Sequence, residues 1–219
     1  METELHILAE AAALTTTEGK KRKDQSIKRP RVHQKIQNFF HDMSSGVISP
    51  ILRLKINRSL CNFQCEHCCE EPYMSRDLKK TTGAIDPRKQ MTIADYGELS
   101  RQADEYGIFR FVITGGEAVL DKNLGELIEA LDPLKHLIIL DTNGWFFDEE
   151  KAKWFAGLGG YKAQISLDSF VAEEHDAFRN KPGSYKRVLR AIKASKEAGL
   201  ELLLSTCLVK DRVFSQAFE

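Results

Sequence analysis

From residue 50 onward, apolar runs of strand length alternate with amphipathic stretches of helical period, and few folds accommodate that order. Ile51 to Ile56 reads as a strand. Thr92, with Asp95 three residues later, makes a capping-box start for a helix running to about Tyr106. Its apolar positions are Ile93, Tyr96, Leu99 and Ala103, and Gly107 is its stop. Ile108 to Thr114 is the next strand. Leu124, Leu127, Ile128 and Leu131 mark a helix face that ends near Pro133. Leu137 to Asp141 is a third strand, Asp148 to Leu158 a helix with Trp154, Phe155 and Leu158 inward, and Lys162 to Leu167 a fourth strand. Ser184 is placed to cap a long helix through Val188, Leu189 and Ile192 that Gly199 closes, and Leu200 to Val209 is a fifth strand. Strands alternating with helices of about ten to fifteen residues imply right-handed βαβ units and a parallel sheet. The expected class is α/β, a partial parallel (β/α) barrel.

In such sheets function gathers where strands end. The loop after the first strand holds Cys61, Cys65 and Cys68, spaced C-x3-C-x2-C, and Cys69 follows directly. Thiolates this close can hold one soft metal centre. One reading is a zinc knuckle using the three cysteines with His67 or Cys69. The other is an iron–sulfur cluster that has three cysteines where an electron carrier has four, leaving one iron open to a ligand. Cys207, in the fifth strand, reads as a core residue.

Three more polar turns follow strands. Thr114-Gly115-Gly116-Glu117 follows the second. Its glycines let the backbone approach a ligand closely, and Glu117 offers charge to an ammonium, although alone it also reads as a plain turn. Asp141-Thr142-Asn143-Gly144 follows the third and reads equally as an Asn-Gly turn or a pocket rim. On the fourth, Ser166 and Asp168 fall on one face of a period-two strand, here the barrel interior, where polar groups need partners. His175 and Asp176 read as residues that order the next loop, and Arg179 follows them.

Taken together, the cysteine spacing, the Gly-Gly-Glu turn, the Thr-Asn-Gly turn and the Ser-Leu-Asp…His-Asp…Arg run resemble the radical S-adenosylmethionine (SAM) superfamily over about Ile51 to Val209. Peptide-modifying, sulfatase-maturase-like and molybdenum-cofactor cyclase-like members look nearest. Ala118 stands where that family's glycine motif usually has proline. The resemblance implies a core of six β/α units, of which this chain supplies about five. It implies a [4Fe–4S] cluster on Cys61, Cys65 and Cys68, its fourth iron chelating SAM. It also implies SAM contacts from Gly115, Gly116, Glu117, Asn143, Ser166 and Arg179, with Asp168 a further candidate. The implied reaction is reductive cleavage of SAM to methionine and a 5′-deoxyadenosyl radical, which takes hydrogen from a substrate such as a peptide. The cofactors carry that chemistry, so no acid–base triad is needed. Implied partners are SAM and a reductant such as flavodoxin or ferredoxin. An incomplete homologue that binds a cluster or a partner protein without turnover is the alternative.

The remaining sequence sets bounds. Residues 1–45 read as an N-terminal extension with a basic linker, and 46–219 as the core domain, incomplete at its C-terminus. Short helices are expected at Glu4 to Leu14 and Lys35 to Met43. The linker's Lys20-Lys21-Arg22-Lys23, Lys28, Arg29 and Arg31 read as a solvated run, and the lack of interleaved aromatics disfavours nucleic acid. Glu70 to Gln90 reads as a long polar loop. The formal net charge is zero, no apolar run reaches membrane-span length, and the N-terminus lacks a basic signal region. An odd total of five cysteines, four of them clustered within residues 61–69, argues against a disulfide framework and for a reducing cytoplasm. The fifth strand, with Leu202, Leu203 and Leu204, is expected to be an exposed sheet edge, making the isolated chain self-associate.

Overall fold

A computed structural model describes residues 29–42, 51–56, 60–68 and 90–210. The expected helix at Glu4 to Leu14, nearly all of the loop 70–90, and Cys69 lie outside these residues.

Five strands form one parallel sheet in sequential order: β1 (Ile51–Ile56), β2 (Arg110–Gly115), β3 (Leu137–Thr142), β4 (Lys162–Ser166) and β5 (Glu201–Ser205). Sequential order with crossover helices is the order of an opened (β/α) barrel, and it leaves a helix-covered face and an inner face. The period of two assigns residues to each. Phe111, Ile113, Ile138, Leu140, Ala163 and Ile165 are fully buried toward the helices. Val112, Asp141, Gln164 and Ser166 are set on the inner face between them.

The helices are α1 (Pro30–Asp42), α2 (Ile93–Glu105), α3 (Leu124–Ala130), α4 (Glu149–Gly157), α5 (Ala172–Phe178) and α6 (Ser184–Glu197). Thr92 and Asp95 form the expected capping box, and Asp148 caps α4 by accepting from Lys151 N. Leu127, Ile128, Phe155, Val188 and Ala191 close the core over the strands. Each such burial stabilises by about 1.5–3 kcal/mol.

The start of α6 differs from expectation. Gly183, in the left-handed region at φ 81°, is its N-cap, and Ser184 is the first helical residue. The cap comes from α5: Asp176 accepts hydrogen bonds from Gly183 N, Ser184 Oγ and Tyr185 N. The stretch read as a loop around His175 and Asp176 is itself helical. β5 is also shorter than the apolar run suggested. Its Leu203 and Leu204 are 45% and 40% exposed, and β4 is its single neighbour among the described residues.

Helix α1 begins five residues before the expected Lys35, with Pro30 at its first position, where the missing N–H costs nothing. It lies against the amino-terminal ends of the strands, where Val32, Ile36 and Phe39 pack on Phe109, Leu137 and Tyr161. Its basic residues are anchored there. Lys35 Nζ donates to the Ile108 and Lys135 carbonyls, both at 3.0 Å, and pairs with Asp104 at 2.7 Å. Arg29 donates to Pro133 O and Gly159 O. Among the described residues no helix is long and apolar enough to cross a membrane.

Candidate functional site

The opposite, carboxyl-terminal edge of the sheet carries an open cavity of about 800 Å³, solvent mouth included. Cys61, Cys65, Cys68, Gly115, Gly116, Glu117, Asn143, Ser166 and Arg179 all line it. Of the residues singled out in the sequence for cofactor contact, only Asp168 does not.

The cysteine loop is held from several sides by protein alone. Glu117 N donates to Leu60 O at 2.7 Å, and Glu66 N to Phe178 O at 3.2 Å. Asn143 Nδ2 donates to Asn62 Oδ1 at 2.9 Å. Phe63 is buried edge-to-face on Trp145, and His67 stacks on Phe178 with ring centroids 4.4 Å apart. Within the loop, Cys68 N closes a turn on Cys65 O.

Close backbone approach explains the glycine turn. A Cβ on Gly115 would stand 1.6 Å from the Ile56 carbonyl oxygen, so no side chain fits between β1 and β2 there. Glu117, 2% exposed, then reaches across to the end of β3. Its Oε1 accepts from Thr142 Oγ1 at 2.7 Å and Val119 N at 3.3 Å, and its Oε2 from Asn143 N at 2.8 Å. Three of about four acceptor positions are thus used. Burial raises the Glu117 pKa, and these hydrogen bonds and Arg179 oppose the rise.

Asp168 departs from its expected place. β4 ends at Ser166, the alternation stops, and Asp168 turns away from the cavity to full burial. Its Oδ2 binds Arg179 Nε, its Oδ1 accepts from Cys207 N at 3.0 Å, and its N–H donates to His175 Nδ1 at 3.2 Å. Asp168 therefore sets the direction of Arg179, whose Nη1 stands 3.8 Å from Cys65 Sγ. Arg179 stays protonated: burial opposes its charge, and Asp168 and Cys65 restore it.

Phe63, His67, Thr114, Asp141, Thr142, Gln164 and Ser205 complete the lining. Sequence reasoning did not assign Gln164 or Ser205 to the site. Their signal was register, since Ser205 pairs with Ser166 and Gln164 lies two residues before it. Asp141 Oδ2 is held by Arg53 at 2.7 Å.

Burial pushes the Cys61 thiol up to about 12, with Glu117 and the other two thiols adding to the shift and Phe63 N–H opposing it. Burial likewise raises Cys65, against Arg179. Thiols crowded in this way ionise when a cationic centre takes them as ligands, releasing protons. Among the described residues no three His, Cys, Asp or Glu side chains stand close enough together to hold a single metal ion. A four-iron cluster does not need that convergence, because each thiolate binds a different iron. The all-thiol donor set and its position at the cavity mouth fit such a cluster.

The sequence profile of the Radical SAM superfamily matches residues 59–212, which takes in the cysteine loop and every strand from β2 to β5. The chain belongs to the radical SAM superfamily. The cofactors of that family are a [4Fe–4S] cluster and SAM. Among curated relatives, the chain is 28% identical to the AdoMet-dependent heme synthase of Oleidesulfovibrio alaskensis, covering 83% of this chain and 44% of the relative. It is 26% identical to the pre-heme d1 synthase of Dinoroseobacter shibae, covering 73% and 37%. The chain thus spans less than half the length of these relatives. The solved structure of native anSMEcpe with bound AdoMet matches with TM-score 0.52 at 22% identity, over 70% of this chain and 42% of that one. Streptococcus suis SuiB bound to precursor peptide SuiA matches with TM-score 0.54 at 16% identity, over 97% and 47%. These likenesses establish the fold, a partial radical SAM β/α barrel.

Proposed function

We propose that this chain is a radical SAM enzyme core that holds a [4Fe–4S] cluster on Cys61, Cys65 and Cys68 and SAM in the adjoining cavity. The observation that carries this reading is the convergence of three thiols with the Gly115–Glu117 turn, Asn143, Ser166 and Arg179 around one cavity. Held by Cys61, Cys65 and Cys68, the reduced cluster would supply one electron for the reductive cleavage of SAM, the chemistry by which hydrogen would be taken from a substrate.

The protein's part is positional. The remaining acceptor position on Glu117 suits the ammonium of SAM, whose charge offsets the cost of burying that carboxylate. Asp168 occupies Arg179 Nε and Nη1 faces Cys65 Sγ, so Nη2 is left to meet the SAM carboxylate. Asp168 is a positioning residue in this scheme and makes no SAM contact. Ser166 and Asn143, at the ends of the neighbouring strands β4 and β3, supply further hydrogen bonds. The clustered thiols suit a reducing cytoplasm. Relatives named for heme and pre-heme d1 synthesis, and a fold relative that holds a precursor peptide, make a heme precursor and a peptide the first substrates to offer.

Anaerobic reconstitution with iron and sulfide, followed by dithionite and SAM, tests the reading. The expected result is 5′-deoxyadenosine, lost in Cys61→Ala, Cys65→Ala and Cys68→Ala. Zinc with no sulfide, or a cluster that leaves SAM intact, would count for a metal-binding homologue without turnover.

A further inference from the structure

In a chain of zero formal charge, residues 177–196 contain seven basic side chains and no acidic one. Lys186, Arg187 and Lys193 are exposed along α6, and Lys181 lies just before it. The acid that precedes this run, Asp176, is engaged at the helix start. The one that follows, Glu197, sits 3.8 Å from Lys193.

These cations gather around one aromatic residue. Lys181 Nζ lies 4.7 Å from the centre of the Trp145 ring, and Arg187 Cζ lies 5.2 Å from it. Arg190 Nη2 donates to Trp145 O at 3.0 Å. Trp145 also meets Phe63, ring centroids 5.7 Å apart, Lys181 Nζ lies 6.0 Å from the Phe63 centroid too, and Phe63 N donates to Cys61 Sγ at 3.4 Å. A basic surface therefore reaches the cysteine loop across the paired rings of Trp145 and Phe63, Lys181 lying against both.

We propose that Lys181 and Arg187 around Trp145, with Lys186 exposed on the same helix as Arg187, form the docking surface for an acidic single-electron carrier protein, of the flavodoxin or ferredoxin kind. This rests on the cluster assignment made above. The carrier gives up one electron, the cluster takes it and passes from the 2+ to the 1+ state, and no proton or ligand is transferred. Opposite charge suits such an encounter, since it raises the association rate and orients a contact that must also dissociate. Redox encounters are typically small and weak, and an exposed basic rim fits that class. Nucleic acid fits less well, because Trp145 is only partly exposed and two cations already lie against its ring.

The test uses the full chain with the double substitution Lys181→Glu and Arg187→Glu, neither residue lining the cavity. Binding of a bacterial flavodoxin and a bacterial ferredoxin is measured by calorimetry on the apoprotein and the reconstituted protein at low and high salt. At least one carrier is expected to bind the wild type with an affinity that falls as salt rises. The double variant is expected to bind it about tenfold or more weakly. Reduction of its cluster by the reduced carrier should slow in step, while reduction by dithionite keeps the wild-type rate. Unchanged carrier affinity in the variant overturns the proposal, as does salt-independent binding or no binding of either carrier. Equal slowing with dithionite also overturns it, by moving the effect to the cluster itself. Displacement of the carrier by a duplex oligonucleotide at equal charge concentration would reassign the surface to nucleic acid. Because binding is read on the apoprotein, failure to assemble a cluster is a separate result.

Discussion

The two ends of the same five strands are held together by different physics. At the amino end, Val32, Ile36 and Phe39 of α1 pack on Phe109, Leu137 and Tyr161, and Lys35 fastens the contact to two backbone carbonyls. At the carboxyl end the loops hold one another through polar groups: Glu117 to the Thr142–Asn143 turn, Asn143 to Asn62, Asp168 to Arg179. At the amino end Lys35 is satisfied by two carbonyls and Asp104, and Arg29 by two more carbonyls, while the buried Arg110 Nε has no partner there among the described residues. The carboxyl end keeps unused donors and an acceptor position on the residues that line a cavity. Substitutions at the carboxyl end should therefore change cofactor binding as well as stability, and those at the amino end stability alone.

The largest effect is expected from Gly115→Ala. Its Cβ would overlap the Ile56 carbonyl, and β1 must separate from β2 to admit it. A loss of about 3 kcal/mol or more is expected in urea unfolding, together with loss of iron uptake. An unchanged midpoint with normal iron content would show that this end adapts more freely than its contacts allow.

Asp168→Ala comes next. It leaves Arg179 buried without its carboxylate, a change that costs about 3–5 kcal/mol. SAM affinity, measured by equilibrium dialysis, should fall while three-thiol iron binding persists. Lys35→Met is the matching substitution at the amino end. It removes an ion pair and two carbonyl contacts, for about 1–3 kcal/mol. SAM affinity per folded molecule should stay at the wild-type value. A parallel fall in SAM affinity would erase the distinction between the two ends.

The smallest effect concerns pH. His136, beside Phe111, faces the Ile108 and Ser100 carbonyls, and burial, with Lys35 adding, lowers its pKa to about 4. The folded form thus binds its proton less readily than the unfolded chain, whose histidine titrates near pH 6.5. Its contribution is complete above about pH 6.5 and is lost as pH falls toward 4. Roughly 2 kcal/mol of that loss falls between pH 7 and pH 5. His136→Phe should flatten the fall in urea midpoint between pH 7 and pH 5, and an unaltered slope would remove His136 as its source.

Sequence made the alternation of strands and helices legible because each strand's helix-facing residues are apolar and each helix has a cap or a stop. The capping box at Thr92 and the stop at Gly107, φ 74°, lie where the residues indicated. The cavity was legible as four turns following four strands. What escaped were features set by tertiary contact. Asp168 was placed inward by extending the strand period past Ser166, but the chain turns there to reach His175 and Arg179. Helix α5 is one short stretch with charged residues at four of its seven positions if His175 is included, and it offers no apolar period to read. Arg29 and Lys35 sit in a basic run that looks solvated in sequence, and only the fold reveals the carbonyls they reach. Gln164 and Ser205 became site residues through strand register, which a single strand's sequence does not state.

The central claim is that three thiols at the carboxyl end leave one iron of a cluster open to SAM. The direct measurement is the electron paramagnetic resonance spectrum of the reconstituted, reduced protein with and without SAM. The account predicts about four irons per chain and a cluster signal that shifts when SAM is added. Arg179→Ala should keep the signal and require more SAM to shift it. A cluster signal indifferent to saturating SAM, or the same indifference with a fourth protein ligand found on the iron, would contradict it.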